Sequence, residues 1–128
     1  MPFPVSWFRR IPFGRRSEID GAGYLRGLGF RIVASQYQIP AGEVDLIAWE
    51  GDVLVFVEVK ARTSDAPPED AVGWRKQQRV IRAAHSYLAR YGLQDRSYRF
   101  DILAVTAAPN CAPVFRLLRD AFREPPRF

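Results

Sequence analysis

Apolar residues recur along the chain at two spacings, and the change of spacing marks the elements. Residues 30 to 37 (FRIVASQY), 43 to 50 (EVDLIAWE) and 53 to 61 (VLVFVEVKA) are short and rich in β-branched and aromatic side chains, which reads as three strands. Pro40, Ala41 and Gly42 turn the chain between the first two. Gly51 and Asp52 link the second and third tightly, a β-hairpin signal. From about 70 to 91 the period lengthens. At about 100° per residue, Trp74, Val80, Ile81, Ala84, Tyr87, Leu88 and Tyr91 share one broad face, with Arg75, Arg79, Arg82 and Arg90 opposite.

A shorter helix is expected ahead of the strands. Ser17 and Asp20 have capping-box spacing, with Asp in place of the commoner Glu, and Gly29 suits the position beyond a last turn at about Leu28. Gly21, Gly23 and Gly27 weaken this helix. After Gly92, residues 98 to 106 (YRFDILAVT) read as a fourth strand. VFRLLRDAF, near the C-terminus, fits a short strand or a helix, and its pattern does not choose between them. Residues 63 to 70, with Pro67 and Pro68, and residues 110 to 113 read as loops. The order helix, three strands, helix, strand predicts an α/β fold with helices around one mixed sheet.

Length and charge narrow this picture. The 128 residues suffice for one domain with its own core and exclude two ordinary ones. We divide them into an N-terminal arm, 1 to 16, and a single domain, 17 to 128. In the arm Trp7, Phe8 and Phe13 interleave with Arg9, Arg10, Arg15 and Arg16. That mixture suits nucleic-acid contact, a partner subunit, or a loosely docked tail. One cysteine, Cys111, and one histidine, His85, exclude an intrachain disulfide and zinc sites built on either residue. No apolar run approaches a membrane span, and the first residues lack the layout of a signal peptide, so a cytoplasmic location away from membranes is expected. The net charge of +5 points to a polyanionic partner. Of the 19 basic residues only Lys60 and Lys76 are lysine. An ammonium is compact and titratable in a way that a guanidinium is not.

The chemistry gathers on the hairpin. Glu43 and Asp45 alternate on one strand face, and Glu58 and Lys60 share a face of the next, within a run apolar enough to be central and buried. Hairpin pairing brings Asp45 and Glu58 close. Two carboxylates so placed repel unless a cation lies between them, and Mg²⁺ takes one or two carboxylates while keeping waters for a phosphate. Lys60 beside such an ion would orient the attacking water or stabilise developing charge. Glu18 projects with Ala22 and Leu25, on the apolar side of the first helix, from where an acid reaches the end of a sheet.

The segments GRRSE with GYLRGLGF, GEVDLIA, VFVEVKAR, AVGWRKQQR and RFD follow one another over roughly residues 14 to 105. This order of acid, Asp and Glu-x-Lys resembles the restriction-endonuclease-like PD-(D/E)XK nuclease superfamily. Within it the chain resembles the YraN-type bacterial family, related in fold to Holliday-junction resolvases. The resemblance implies an αβββαβ core with a mixed central sheet flanked by helices. It also implies Mg²⁺ or Mn²⁺ as cofactor and hydrolysis of DNA phosphodiesters, branched or single-stranded. Asp45, Glu58 and the Val59 carbonyl would hold the metal, with Glu18, the first-helix acid, at a second metal site, and Lys60 would be the catalytic lysine. Val44 stands where the superfamily commonly has proline before the aspartate, and Ser17 precedes the helix acid where the family commonly has glycine. Resolution of a four-way junction needs two active sites, which implies a homodimer.

Other readings stay open at this level. Asp45, Glu58 and Lys60 also suit a buried ion pair with a spare acid, and Glu18 an acid favoured by the helix dipole. Glu43 suits a salt bridge better than metal ligation. Lys76 borders the Arg stripe and suits either a phosphate or active-site contact or a snorkelling side chain. Arg75, Arg79, Arg82 and Arg90 suit successive phosphate contacts or a solvated face. Arg99 and Asp101 suit a local ion pair, and His85, Cys111 and the tryptophans suit packing roles. A non-catalytic nucleic-acid-binding or repair accessory module is the alternative to a nuclease. An oligomeric interaction protein is the third reading.

Overall fold

The structure, a computed structural model, describes residues 13–62, 73–106 and 110–126. Helix α1 (Phe13–Gly27) is followed by strands β1 (Arg31–Ile39), β2 (Gly42–Glu50) and β3 (Val53–Arg62), helix α2 (Trp74–Arg90), and strands β4 (Tyr98–Thr106) and β5 (Val114–Phe122). The strands form one five-stranded sheet in the order β1-β2-β3-β4-β5. Every neighbouring pair is antiparallel except β3 and β4, which run parallel across the α2 crossover. The αβββαβ order is thus present, with a fifth strand appended at the edge.

The apolar run of β3 makes it central, and its alternation splits the core in two. Leu54 and Phe56 join Val80, Ile81, Ala84, Tyr87 and Leu88 under α2. Val55 and Val57 join Ala22, Leu25, Leu103 and Val105 under α1. Burying such side chains contributes about 1.5–3 kcal/mol each, so β3 ties both layers together. Gly21 allows α1 its close seat: a Cβ there would lie 2.8 Å from Leu103 Cδ2.

Several expectations change. Helix α1 starts at Phe13, four residues before Ser17, and Ser17 is buried inside it rather than capping it. Arm residues 1–12, the loop 63–70 and the expected first residues of α2, 70–72, lie outside the described residues. The expected cap at Gly29 is present, and Gly92 caps α2 in the same way: Gly29 (φ +97) and Gly92 (φ +65) donate to Arg26 and Ala89, while Phe30 and Leu93 donate to Leu25 and Leu88. This double bond pattern closes both helices. Trp74 and Tyr91, expected on the buried face of α2, are 67% and 53% exposed, one being its first residue and the other the cap after its last. VFRLLRDAF is strand β5, held by pairing with β4 from Phe100↔Phe122 to Thr106↔Val114.

Away from the hairpin acids, Arg99 bridges Asp101 at 2.9 Å and Glu50 at 2.6 Å. Arg119 reaches Glu50 at 2.8 Å. Asp101 is fully buried and satisfied, since the Asp120 amide also donates to it at 2.8 Å. The expected Arg99–Asp101 pair is therefore present inside a larger network. Tyr98 Oη donates to Glu124, and His85 Nε2 lies 2.8 Å from the same carboxylate, tying the chain after β5 to α2. Among the described residues no helix is long and apolar enough to cross a membrane.

Candidate active site

The site forms where the β2–β3 ladder stops. Paired residues run from Glu50↔Val53 to Leu46↔Val57, and the next position in that register faces Asp45 with Glu58. There side chains replace the backbone ladder. The Val59 amide donates to Asp45 Oδ2 at 2.9 Å, and the Asp45 amide points at Glu58 Oε1 from 3.4 Å. On its other side β2 is also irregular: paired residues flank Asp45 at Ser35↔Leu46 and Tyr37↔Val44, and the intervening Gln36 takes φ +49. Strict alternation fails here as well. Val44 and Ile47, of opposite parity, both enter the core under α2.

Helix α2 closes the site from above. At Gly42 a Cβ would lie 1.9 Å from the Arg79 carbonyl oxygen, so the start of β2 abuts the α2 backbone at a place only glycine fits. One turn before Arg79, Lys76 extends its ammonium to 3.0 Å from Glu43 Oε1 and 3.4 Å from Glu58 Oε2. Glu43 also accepts a bond from Gln38 Nε2 at 3.4 Å.

Burial sets the electrostatics. The Glu58 side chain is 4% exposed, against 33% for Glu43 and 35% for Lys76. Burial first, and the neighbouring Asp45 charge second, push the Glu58 carboxyl up to about 8. Glu43 is held below its ordinary value by the bond and charge of Lys76. Burial works against the Lys76 ammonium, yet Glu58, Glu43 and Asp45 together hold it above its ordinary value. A deeply buried acid beside a second carboxylate is an oxygen donor set that fits a hard divalent cation.

The structure thus brings Asp45, Glu58, Val59 and Lys76 together with Glu43. Lys60 follows Glu58 by two residues on the regular part of β3, is exposed, and therefore shares the Glu58 face at the rim. Glu18 is half-buried in the second turn of α1, one turn before Gly21, which packs on Val59 and Leu103. Among the described residues no group of three His, Cys, Asp or Glu is close enough to ligate one ion, so Glu18 does not join the Asp45–Glu58 pair in this arrangement. Arg75, Arg79 and Arg82 are exposed on α2. By helical geometry they fall on the flank where Lys76 lies. Trp49 is half-buried with Arg96 over its ring at 6.0 Å, and Cys111 is exposed.

The model of Uncharacterised protein family UPF0102 matches residues 17–105, which include the hairpin acids and Lys76. The chain belongs to the UPF0102 family. Its similarity extends beyond that region: it is 41% identical to the UPF0102 protein of Symbiobacterium thermophilum over 89% of this chain and 97% of that one. With the UPF0102 protein of Hahella chejuensis it shares 37% identity over 95% and 98% of the two chains. With that of Alkaliphilus metalliredigens it shares 44% over 64% and 74%. UPF0102, the YraN family, is a PD-(D/E)XK nuclease-like family.

In this UPF0102 protein, sequence reasoning leaves the Glu43–Lys76–Glu58 bridge undrawn. Its members stand 33 and 18 positions apart, Glu43 to Lys76 and Lys76 to Glu58, so no local period links them. The one signal is compositional: Lys76 is the second of two lysines in an arginine-rich chain.

Proposed function

We propose that this UPF0102 protein is a metal-dependent nuclease that hydrolyses DNA phosphodiesters, with branched or single-stranded DNA as substrate. The observation that carries the proposal is buried Glu58 beside half-buried Asp45, with Lys60 two residues further along the Glu58 strand face. Asp45, Glu58 and the Val59 carbonyl are the residues that would hold Mg²⁺ or Mn²⁺. When bound, such an ion supplies Lewis acidity at the scissile phosphate and a lowered pKa for water. The protein's own part follows from placement. Asp45 is held in position by the Val59 amide. Lys60, at the rim, meets solvent and substrate together, where its ammonium orients the attacking water or offsets charge developing on the phosphate. Arg75, Arg79 and Arg82 offer a basic flank along α2 for the phosphate backbone. A homodimer would supply the two sites that a four-way junction needs.

The test is cleavage of single-stranded, duplex, flap and four-way-junction DNA with Mg²⁺ or Mn²⁺, comparing wild type with Asp45→Asn, Glu58→Gln and Lys60→Ala. Cleavage is expected only from wild type. Equal cleavage by all four proteins would identify a contaminating nuclease and end the proposal. The exposed Arg flank favours one second reading, a non-catalytic DNA-binding or repair accessory module. Salt-sensitive DNA binding without cleavage in either metal would select that reading.

A further inference from the structure

We infer that Lys76 is a tethered counter-cation of the acid cluster, which occupies it in the absence of a divalent ion and gives way to that ion by withdrawing to Glu43. The inference rests on the reading of Asp45 and Glu58 as metal-holding residues. Three observations carry it. First, Lys76 faces two acidic side chains rather than one, at 3.0 Å from Glu43 and 3.4 Å from Glu58. Second, these partners differ in depth: Glu58 is 4% exposed and Glu43 is 33% exposed, so the ammonium spans from buried Glu58 to the rim. Third, the root of the lysine is held in place, because Gly42 sets the β2 backbone against the α2 backbone at Arg79, one turn beyond Lys76.

The consequence is competition. An ammonium and a divalent ion that share one buried carboxylate repel each other, and at this depth solvent screens them weakly. Lys76 need not leave the protein to make room. Its flexible four-carbon stem pivots toward the solvent side, where the shorter ion pair with Glu43 already exists. Glu43 is then a positioning residue: it acts on the metal through Lys76. The exchange also places the freed ammonium beside the Arg79 flank, where a phosphate backbone would approach.

The test is calorimetric titration of the full chain with Mn²⁺ at neutral pH, using wild type, Lys76→Met, Glu43→Gln and the double variant, with Glu58→Gln as the metal-site control. Lys76→Met is expected to bind Mn²⁺ roughly tenfold tighter, since a repelling charge is removed. Glu43→Gln is expected to bind several-fold more weakly, because Lys76 loses its place of retreat. That loss should vanish when Lys76 is already methionine, a coupling that simple removal of a distant negative charge would not produce. Lys76→Arg, which keeps the charge, should stay near wild type, and melting of each variant in chelator verifies folding. Unchanged or weaker binding by Lys76→Met, with wild-type binding still dependent on Glu58, would overturn the inference and leave the metal-site reading standing. Absence of Mn²⁺ binding in every variant would overturn both.

Discussion

Glu58→Gln should stabilise the metal-free protein at alkaline pH while abolishing the proposed metal-dependent cleavage. The Glu58 carboxyl is raised to about 8 from an ordinary 4.5, chiefly by burial and then by the Asp45 charge. The sign follows from linkage. The folded state keeps a proton that the unfolded chain surrenders above 4.5, so stability is greatest below that pH and declines as pH climbs toward 8. At about 1.4 kcal/mol per pH unit the full span is worth several kcal/mol, and we expect about 2 kcal/mol to be realised once Lys76 and entering water offset part of the burden. Glutamine is neutral at every pH. Its carbonyl oxygen can still accept from the Asp45 amide, and its amide group can donate to the Asp45 carboxylate where the protonated acid did. Urea denaturation in chelator at pH 5, 6, 7 and 8 measures the effect. The variant should match wild type at pH 5 and exceed it by about 2 kcal/mol at pH 8, or roughly 5–10 °C in Tm for a domain of this size. Parallel pH profiles for the two proteins, or a variant weaker than wild type at pH 8, would refute the burial argument.

Three further perturbations separate structure from chemistry. Lys60→Arg keeps charge at an exposed rim position, so its melting should stay within about 1 kcal/mol of wild type while metal-dependent cleavage falls about a hundredfold. Replacing Arg75, Arg79 and Arg82 together with alanine should weaken duplex binding uniformly across sequences and flatten the slope of log K against log salt by about 0.9 for each phosphate no longer neutralised; fluorescence anisotropy across a salt series reads this directly. Gly42→Ala forces a methyl group to 1.9 Å from the Arg79 carbonyl oxygen, and urea denaturation should show a loss of about 2–4 kcal/mol as β2 and α2 separate.

What the chain discloses in advance follows from where its information is local. β2, β3 and β4 are legible because each must bury a face of its own against a helix, and β4 keeps its expected bounds of Tyr98–Thr106. β5 is not, because at the sheet edge its Leu117 and Leu118 are both only half-buried, which leaves no clean alternation, and pairing with β4 decides its state. The start of α1 is misplaced because Ser17 suits a cap chemically, yet tertiary burial claims it for the helix interior. The pairing of Asp45 with Glu58 is readable from hairpin register. The entry of Lys76 is not, since it depends on how closely α2 approaches β2, and that distance is set by the missing side chain of Gly42.

The place where the ladder stops also governs how the site should be probed. Asp45 is more than a chemical group at the sheet end, because its carboxylate accepts the Val59 amide at 2.9 Å. Asp45→Ala would leave that amide with no acceptor in a half-buried position, at a cost of about 1–3 kcal/mol, and β2 would be free to shift against β3. Loss of activity in that variant would report a displaced strand as readily as a lost ligand. Asp45→Asn keeps an oxygen for the Val59 amide and removes only the charge. It should retain wild-type stability within about 1 kcal/mol, and it should lower the Glu58 carboxyl from its raised value, because the second cause of that elevation is gone. Carbon-13 NMR titration of the Glu58 carboxyl follows this directly. A Glu58 titration unmoved by Asp45→Asn would mean that burial alone sets its protonation and that the two acids do not share a site.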